Sequence, residues 1–264
     1  MRRAAAGAAA AALLLALAAS AALAATVPCD MRYPSDARVS WRCRTIAAGE
    51  SVERLFGERW MDVLRFNRLD RRHVSAEVAL KVPVDLEGIR DFTPMPLDYP
   101  DAAGEAKFLL VDLGEQFLGA YERGRLVFSS PLATGDAGHP TPVGEFRITA
   151  ADATHHSSLY TIEGTDTPYP MTWALRFHVG PDGAAFWLHG RDVPGYPASH
   201  GCIGLYDERM QKAYYGTPAR PRLEDARRLY EWVVGDASER GERPIAGPRV
   251  RIIHGASGDR STGC

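Results

Sequence analysis

Apolar positions follow three different rhythms along this chain. From Ala4 to Ala25 they are nearly continuous, an Ala/Leu run through Leu13, Leu14, Leu15 and Leu17 that follows Arg2 and Arg3 and closes on Ala22-Leu23-Ala24. From Thr45 to Asp85 they recur at helical spacing in two short stretches. Val52, Leu55 and Phe56 predict one helix, begun by Ser51, and Val63, Leu64 and Phe66 predict a second, with Asn67 near its end. β-prone residues flank the pair, and Leu80 to Val84 predicts a closing strand stopped by Pro83 and Asp85. The third rhythm starts at Phe108-Leu109-Leu110-Val111, a buried-strand pattern. Gln116 to Tyr121 and Arg125 to Phe128 then read as a hairpin around Glu122-Arg123-Gly124, and further short strands are predicted at 145–148, 159–162, 174–177 and 185–188. Leu223, Ala226, Tyr230 and Val233 predict one helix with Gly235 as its stop, and Arg249 to Ile253 a last strand.

These rhythms divide the chain. Residues 1–24 read as a secretory signal peptide, with a charged start, an apolar middle and a small-residue cleavage site; a membrane anchor is the alternative that the length of the run allows. An N-terminal segment, 25–44, precedes the small strand-helix-helix-strand unit at 45–85. Pro94, Pro96 and Pro100 mark 86–105 as a stiff linker. A β-rich domain occupies 106–253, and the polar, glycine-rich 254–264 reads as a tail.

Composition narrows the partners. Hydrophobic residues at 45% and charged residues at 24% describe a folded globular chain. A formal net charge of -2 gives no basic surface for nucleic acid. Export would place the cysteines in an oxidising compartment, where Cys29 and Cys43 are close enough in sequence to close a short loop. Cys202 is then left as a thiol that needs a chemical reason, and Cys264 as incidental.

That reason lies in the run Phe186-Trp187-Leu188-His189-Gly190, followed by a Gly/Pro loop and Ser199-His200-Gly201-Cys202. The pattern predicts that a strand delivers His189 at its end and that the loop reverses the chain to bring Cys202 beside it. A thiol with an imidazole partner is the minimum for nucleophilic catalysis, because the ring removes the thiol proton and later protonates the leaving amine. The Gly190 carbonyl is available to hold the imidazole tautomer, so no acidic third member is required. The backbone N–H groups of His200, Gly201 and Cys202 are candidates for stabilising an oxyanion. Two other readings remain: buried, satisfied side chains at His189 and Cys202, or a metal held by His189, His200 and Cys202 with His155, His156 or His178, although this spacing matches no standard zinc pattern.

These residues carry a resemblance. His189-Gly190, a short loop, then Ser199-His200-Gly201-Cys202 and Ile203 resemble the signature of the L,D-transpeptidase (YkuD) catalytic domain. Thr134-Gly135, the block Gly138 to Phe146 and Asp112 on the opening strand resemble its upstream blocks. The resemblance implies a fold that is mixed but mainly β, a YkuD-type β-sandwich with a C-terminal helix. Within it, Cys202 is the nucleophile and His189 the general acid/base. Gly190 orients His189, while Ser199, His200 and Gly201 shape the oxyanion and substrate side. Thr141-Pro142-Val143-Gly144 is similar to an architectural turn of the family. The small unit resembles a LysM module through Gly49-Glu50-Ser51, Asn67 and Lys81-Val82-Pro83, giving a βααβ module that implies binding of peptidoglycan glycan strands or mere packing.

The implied reaction is acyl transfer on peptidoglycan stem tetrapeptides through a Cys202 thioester. It forms 3-3 cross-links or attaches a wall-anchored protein in the periplasm or cell envelope, with no metal or organic cofactor. An L,D-carboxypeptidase or murein hydrolase using the same cysteine, and a non-catalytic peptidoglycan-binding protein, are the alternatives. Cys202 is expected to be a low-pKa thiol that carbapenem-type β-lactams acylate. One departure stands out: the family usually has Arg two residues after the cysteine, where this chain has Gly204. Arg176, Arg191 and Arg209 are the candidates to replace it.

Overall fold

The computed structural model describes residues 28–235 and 241–255. The leader run at 1–24, Cys264 and nearly all of the expected tail lie outside the described residues.

The small N-terminal unit is βααβ, as the pattern predicts. Strands β1 (Trp41–Thr45) and β2 (Ala79–Pro83) pair antiparallel around helices α1 (Val52–Phe56) and α2 (Trp60–Asn67). Ser51 caps α1 by accepting from the Arg54 N–H. Asn67 is buried at the end of α2, where its amide donates to the carbonyls of Val63 and Lys81 and its oxygen accepts the Lys81 N–H, each at 2.8 Å. One polar side chain thus ties the last helical turn to β2. β1 opens the unit at Trp41, ahead of the boundary expected at 45, and a disulfide from Cys43 within it holds Cys29.

The larger domain is a sandwich of two five-stranded sheets. β3 (Phe108–Asp112), β4 (Phe117–Glu122), β5 (Arg125–Pro131), β6 (Gly144–Arg147), β7 (Ala150–Asp152), the hairpin strands β8 (His156–Thr161) and β9 (Pro168–Pro170), β10 (Ala174–Val179), β11 (Ala185–Arg191) and β12 (Ile203–Tyr206) follow in order. Helices α3 (Glu208–Tyr215) and α4 (Asp225–Val234) come next, then β13 (Arg243–Pro244) and β14 (Arg249–Ile253). One sheet runs β5-β4-β3-β14-β6 and the other β12-β11-β10-β7-β13. Leu109, Val111, Leu118, Val250 and Ile252 from the first sheet meet Leu175, Phe177, Leu188, Ile203 and Leu205 from the second, and α4 adds Ala226, Leu229 and Tyr230. Each such aliphatic side chain contributes about 1.5–3 kcal/mol of burial before entropy is counted.

The stiff linker expected at 86–105 is a strap packed on the domain. Ile89, Met95 and Ala102 are buried, and the Phe92 ring meets the edges of Phe66 and Phe117 at 5.1 and 6.1 Å. Met95, Ala102 and the rings of Phe92 and Tyr99 pack against β3, whose Phe108 and Leu110 point away from the sandwich and need a cover.

The two units also share a polar interface. Buried Asp70, just after α2, accepts the Val193 N–H at 2.6 Å and the Gln211 amide at 2.7 Å, while its own N–H donates to the Val193 carbonyl at 2.8 Å. The Tyr206 hydroxyl donates to the Leu69 carbonyl at 3.0 Å, and that of Tyr33 to the Gly195 carbonyl at 2.6 Å. The small unit therefore grips the chain between His189 and Cys202. Asp70→Ala strands several buried donors and is expected to lower stability by roughly 3–5 kcal/mol. Urea unfolding checks this, and a loss under about 1 kcal/mol would show that the interface carries little.

Candidate active site

Residues 192–202 leave β11 and return to the start of β12, which runs parallel to β11 with Leu188 opposite Ile203 and His189 opposite Gly204. His189 therefore lies inside a strand that continues to Arg191, and the loop is a crossover instead of the reversal the sequence pattern predicts. Opposite residues in a parallel pair share a face, and faces alternate along each strand. Leu188, Ile203 and Leu205 fill the sandwich core, so Trp187, His189 and Arg191 project from the outer face together with Gly204. Two residues before Gly204, Cys202 packs against the cluster that Trp187 forms with Ala150, Met171 and Ala174.

The ring of His189 is buried, and its Nδ1 lies 2.8 Å from the Gly190 carbonyl. A carbonyl only accepts, so Nδ1 carries the proton and Nε2 keeps its lone pair. Gly190 performs this orienting task, as expected. Its N–H donates to the Thr172 carbonyl at 2.7 Å, and a Cβ there would stand 2.4 Å from Asp207 Oδ2 and 2.6 Å from Thr172 Oγ1. Asp207 caps α3 by accepting the Met210 N–H at 2.8 Å, and it also accepts a short hydrogen bond from the Thr172 hydroxyl. Sequence reasoning missed this supporting pair, because nothing in the local pattern connects Thr172 and Asp207 to the histidine.

The loop that carries Cys202 is stapled from two sides. Ser199 Oγ donates to the Cys202 carbonyl at 2.5 Å and accepts the Gly201 N–H at 3.1 Å. Thr141 Oγ1 accepts from the Gly135 N–H and donates to the Gly201 carbonyl, both at 2.9 Å. Gly201 has φ +105°, and a Cβ there would meet the Phe186 ring at 2.6 Å, so the turn requires glycine. This corrects one expectation: the Gly201 N–H is spent on Ser199, and among the described residues only the N–H groups of His200 and Cys202 are left in this turn without a protein acceptor. The His200 ring stacks on Tyr160 of β8, with centroids 4.6 Å apart, and lies 4.3 Å from the His139 ring. Neither ring contact follows from the sequence pattern. Asp112 serves its own turn, with Oδ1 accepting the N–H groups of Gly114, Glu115 and Gly255.

Electrostatics correct the second expectation. Burial pushes the Cys202 thiol above its ordinary 9.0, against the opposing influence of the Trp187 backbone and the Arg191 charge. Burial, then the charge on Arg191, pushes His189 down to about 3, with the bond to Gly190 opposing and His155 adding to the shift. At rest the thiol and the imidazole are both neutral, and Cys202 is not a low-pKa thiolate. Among the described residues no group of three or more His, Cys, Asp or Glu is placed to hold a metal ion.

The family model of the L,D-transpeptidase catalytic domain, YkuD, matches residues 106–252. The chain belongs to this family. No curated protein matches it. Three similar solved structures are L,D-transpeptidases. One, from Stackebrandtia nassauensis, has 22% identity and TM-score 0.37, covering 57% of this chain and 56% of that one. L,D-transpeptidase 1 of Mycobacterium tuberculosis has 16% identity and TM-score 0.37, covering 56% and 61%. Residues 123-326 of the enzyme from Xylanimonas cellulosilytica have 20% identity and TM-score 0.45, covering 80% and 98%. The chain thus spans little more than half the length of the first two.

This YkuD-family site departs at Gly204, and the three candidate arginines separate cleanly. Arg176 pairs with Glu242 at 2.6 Å, and Arg209 with Glu224 at 3.4 Å. Arg191 alone lies over Gly204, with Cγ and Cδ each 1.9 Å from where a Cβ would stand.

Two pH measurements follow. Alkylation of Cys202 by iodoacetamide, read on its own peptide, is expected to rise through an apparent pKa above 9.0; a plateau reaching below about pH 7 would reveal a preformed ion pair. For stability, His189 titrates near 3 when folded and near 6.5 when free, so the unfolded chain binds more protons between those values. The contribution of neutral His189 is complete above 6.5 and is lost as pH falls toward 3. His189→Gln is expected to flatten this part of the urea-midpoint profile, and an unchanged slope would contradict the shift.

Proposed function

We propose that this protein is a peptidoglycan L,D-transpeptidase that works through a Cys202 thioester. One observation supports the reading: Cys202 packs on the cluster that includes Trp187, whose face of β11 also carries His189, and the imidazole tautomer is fixed so that its basic nitrogen is free. The family membership supplies the reaction class.

In this reading, the Cys202 sulfur attacks the carbonyl of the third residue of a stem tetrapeptide while His189 Nε2 takes the thiol proton. The oxyanion is received by the free N–H groups of the nucleophile turn. As the carbon–nitrogen bond breaks, the imidazolium returns that proton to the departing amine of the terminal D-alanine, leaving a thioester. An amine of a neighbouring stem peptide, or of a wall-anchored protein, attacks next. His189 accepts the amine's proton and delivers it to the sulfur as the thioester opens. A neutral pair suits this sequence, since charge develops only when the substrate covers the site. The leader run supports export to the periplasm or cell envelope. The βααβ unit supports a LysM-like contact with glycan strands, for which the cleft between residues 50–53 and residues 217–220, about 410 Å³, is the place.

Incubation of the leader-free protein with disaccharide tetrapeptide is expected to yield cross-linked dimer with release of D-alanine, and Cys202→Ala to yield neither. Tripeptide without dimer would establish the hydrolytic alternative, and unchanged muropeptides would leave a binding protein. A carbapenem is expected to add its mass to the Cys202 peptide; an adduct on any other residue contradicts the assignment.

A further inference from the structure

We propose that Arg191 is the positioning residue of this site: its side chain, laid across Gly204 on the face shared by Cys202 and His189, braces the nucleophile loop and holds a fixed positive charge beside the sulfur. The proposal rests on the reading of Cys202 as the nucleophile.

Register places the residue. The Cα of Arg191 stands opposite Tyr206, yet its Cγ and Cδ lie over Gly204, two residues nearer the nucleophile along β12. The stem therefore runs back along the outer face toward Cys202. Only glycine admits that path, since even a methyl group at position 204 would collide with the stem at 1.9 Å. At its end, Nη2 donates to the Ala198 carbonyl at 3.2 Å, immediately before the Ser199 that holds the Cys202 carbonyl. Arg191 Nε is buried without a protein hydrogen-bond partner. No carboxylate forms an ion pair with Arg191 among the described residues, whereas Arg72 takes the adjacent Asp192 at 2.9 Å.

A half-buried guanidinium with no carboxylate in ion-pair contact among the described residues acts on its neighbours through space, Asp192, Cys202 and His189 among them. It opposes the burial that raises the Cys202 thiol, and it adds to the burial that keeps His189 neutral. As the sulfur gives up its proton, the negative charge develops next to a cation that needs no reorganisation. The chain thus delivers from β11 a charge that Gly204 cannot deliver from β12.

The test is the pH profile of Cys202 alkylation by iodoacetamide in the leader-free full chain, with melting temperature measured in parallel. Arg191→Met keeps the stem and removes the charge; it is expected to raise the apparent thiol pKa and slow alkylation at neutral pH by about tenfold, one pKa unit. Arg191→Lys is expected to retain most of the rate. Gly204→Ala displaces the guanidinium without removing it and should slow alkylation as Arg191→Met does. The pair Arg191→Ala with Gly204→Ala should be no slower than Arg191→Ala alone, the non-additivity expected of one shared contact. Arg191→Ala with Gly204→Arg, which returns the charge from the other strand, should recover the rate. An unchanged profile in Arg191→Met, or a lower melting temperature with no change in profile, would overturn the proposal. If Arg191→Met does not fold, Gly204→Ala decides the matter by the same reading. Cys202→Ala that still transfers peptide would sink the nucleophile assignment separately, since alkylation reports on Arg191 whether or not peptide is processed.

Discussion

Pairing of Leu188 with Ile203 and of His189 with Gly204 decides where every reactive group lies, because opposed residues in a parallel ladder share a face and their neighbours take the other. Core side chains claim the inner face through Leu188, Ile203 and Leu205. A slip of one residue would bury His189 in the sandwich and expose the leucines, so the hydrophobic core itself enforces the register of the chemistry. The thiol, the imidazole and the arginine consequently share one face without any direct bond between them.

Keeping two such strands parallel needs a crossover, and the crossover is where the small unit contributes. Asp70 and Tyr33 hold Val193 and Gly195, while Thr134 and Thr141 hold Ala198, Ser199 and Gly201 from the opposite side. The segment between His189 and Cys202 is thus pinned at both ends of its path. Glycines supply the close approaches: Gly190 fits beneath Asp207 and Thr172, Gly201 beneath Phe186, and Gly204 beneath Arg191. Each position is occupied by a neighbour's side chain, a packing reason for glycine to which Gly201 adds its φ of +105°.

Much of this was legible in the sequence. Helical spacing located α1, α2 and α4, and β14 falls on the expected 249–253. The roles of Gly190 and of the Cys29–Cys43 link could be read because they depend on neighbours close along the chain. What escaped depends on distant contacts. β12 is only Ile203–Tyr206, too short and glycine-interrupted to show a period, and α3 carries Glu208, Gln211 and Lys212 with few apolar positions. The prolines of 86–105 signalled stiffness, but only the apolar outer face of β3 shows that the strap must pack. Burial of the Cys202–His189 face, and with it the neutral state of both groups, is a property of the closed fold that no local pattern records.

A neutral imidazole, protonated at Nδ1 and bonded to the Gly190 carbonyl, presents a bare Nε2 at the candidate site. Nitrogen-15 NMR of the His189 ring reads both its charge and its tautomer. The expected spectrum is that of a single neutral Nδ1–H form that does not titrate between about pH 5 and pH 8. An Nε2–H tautomer, or a midpoint near the ordinary 6.5, would contradict it.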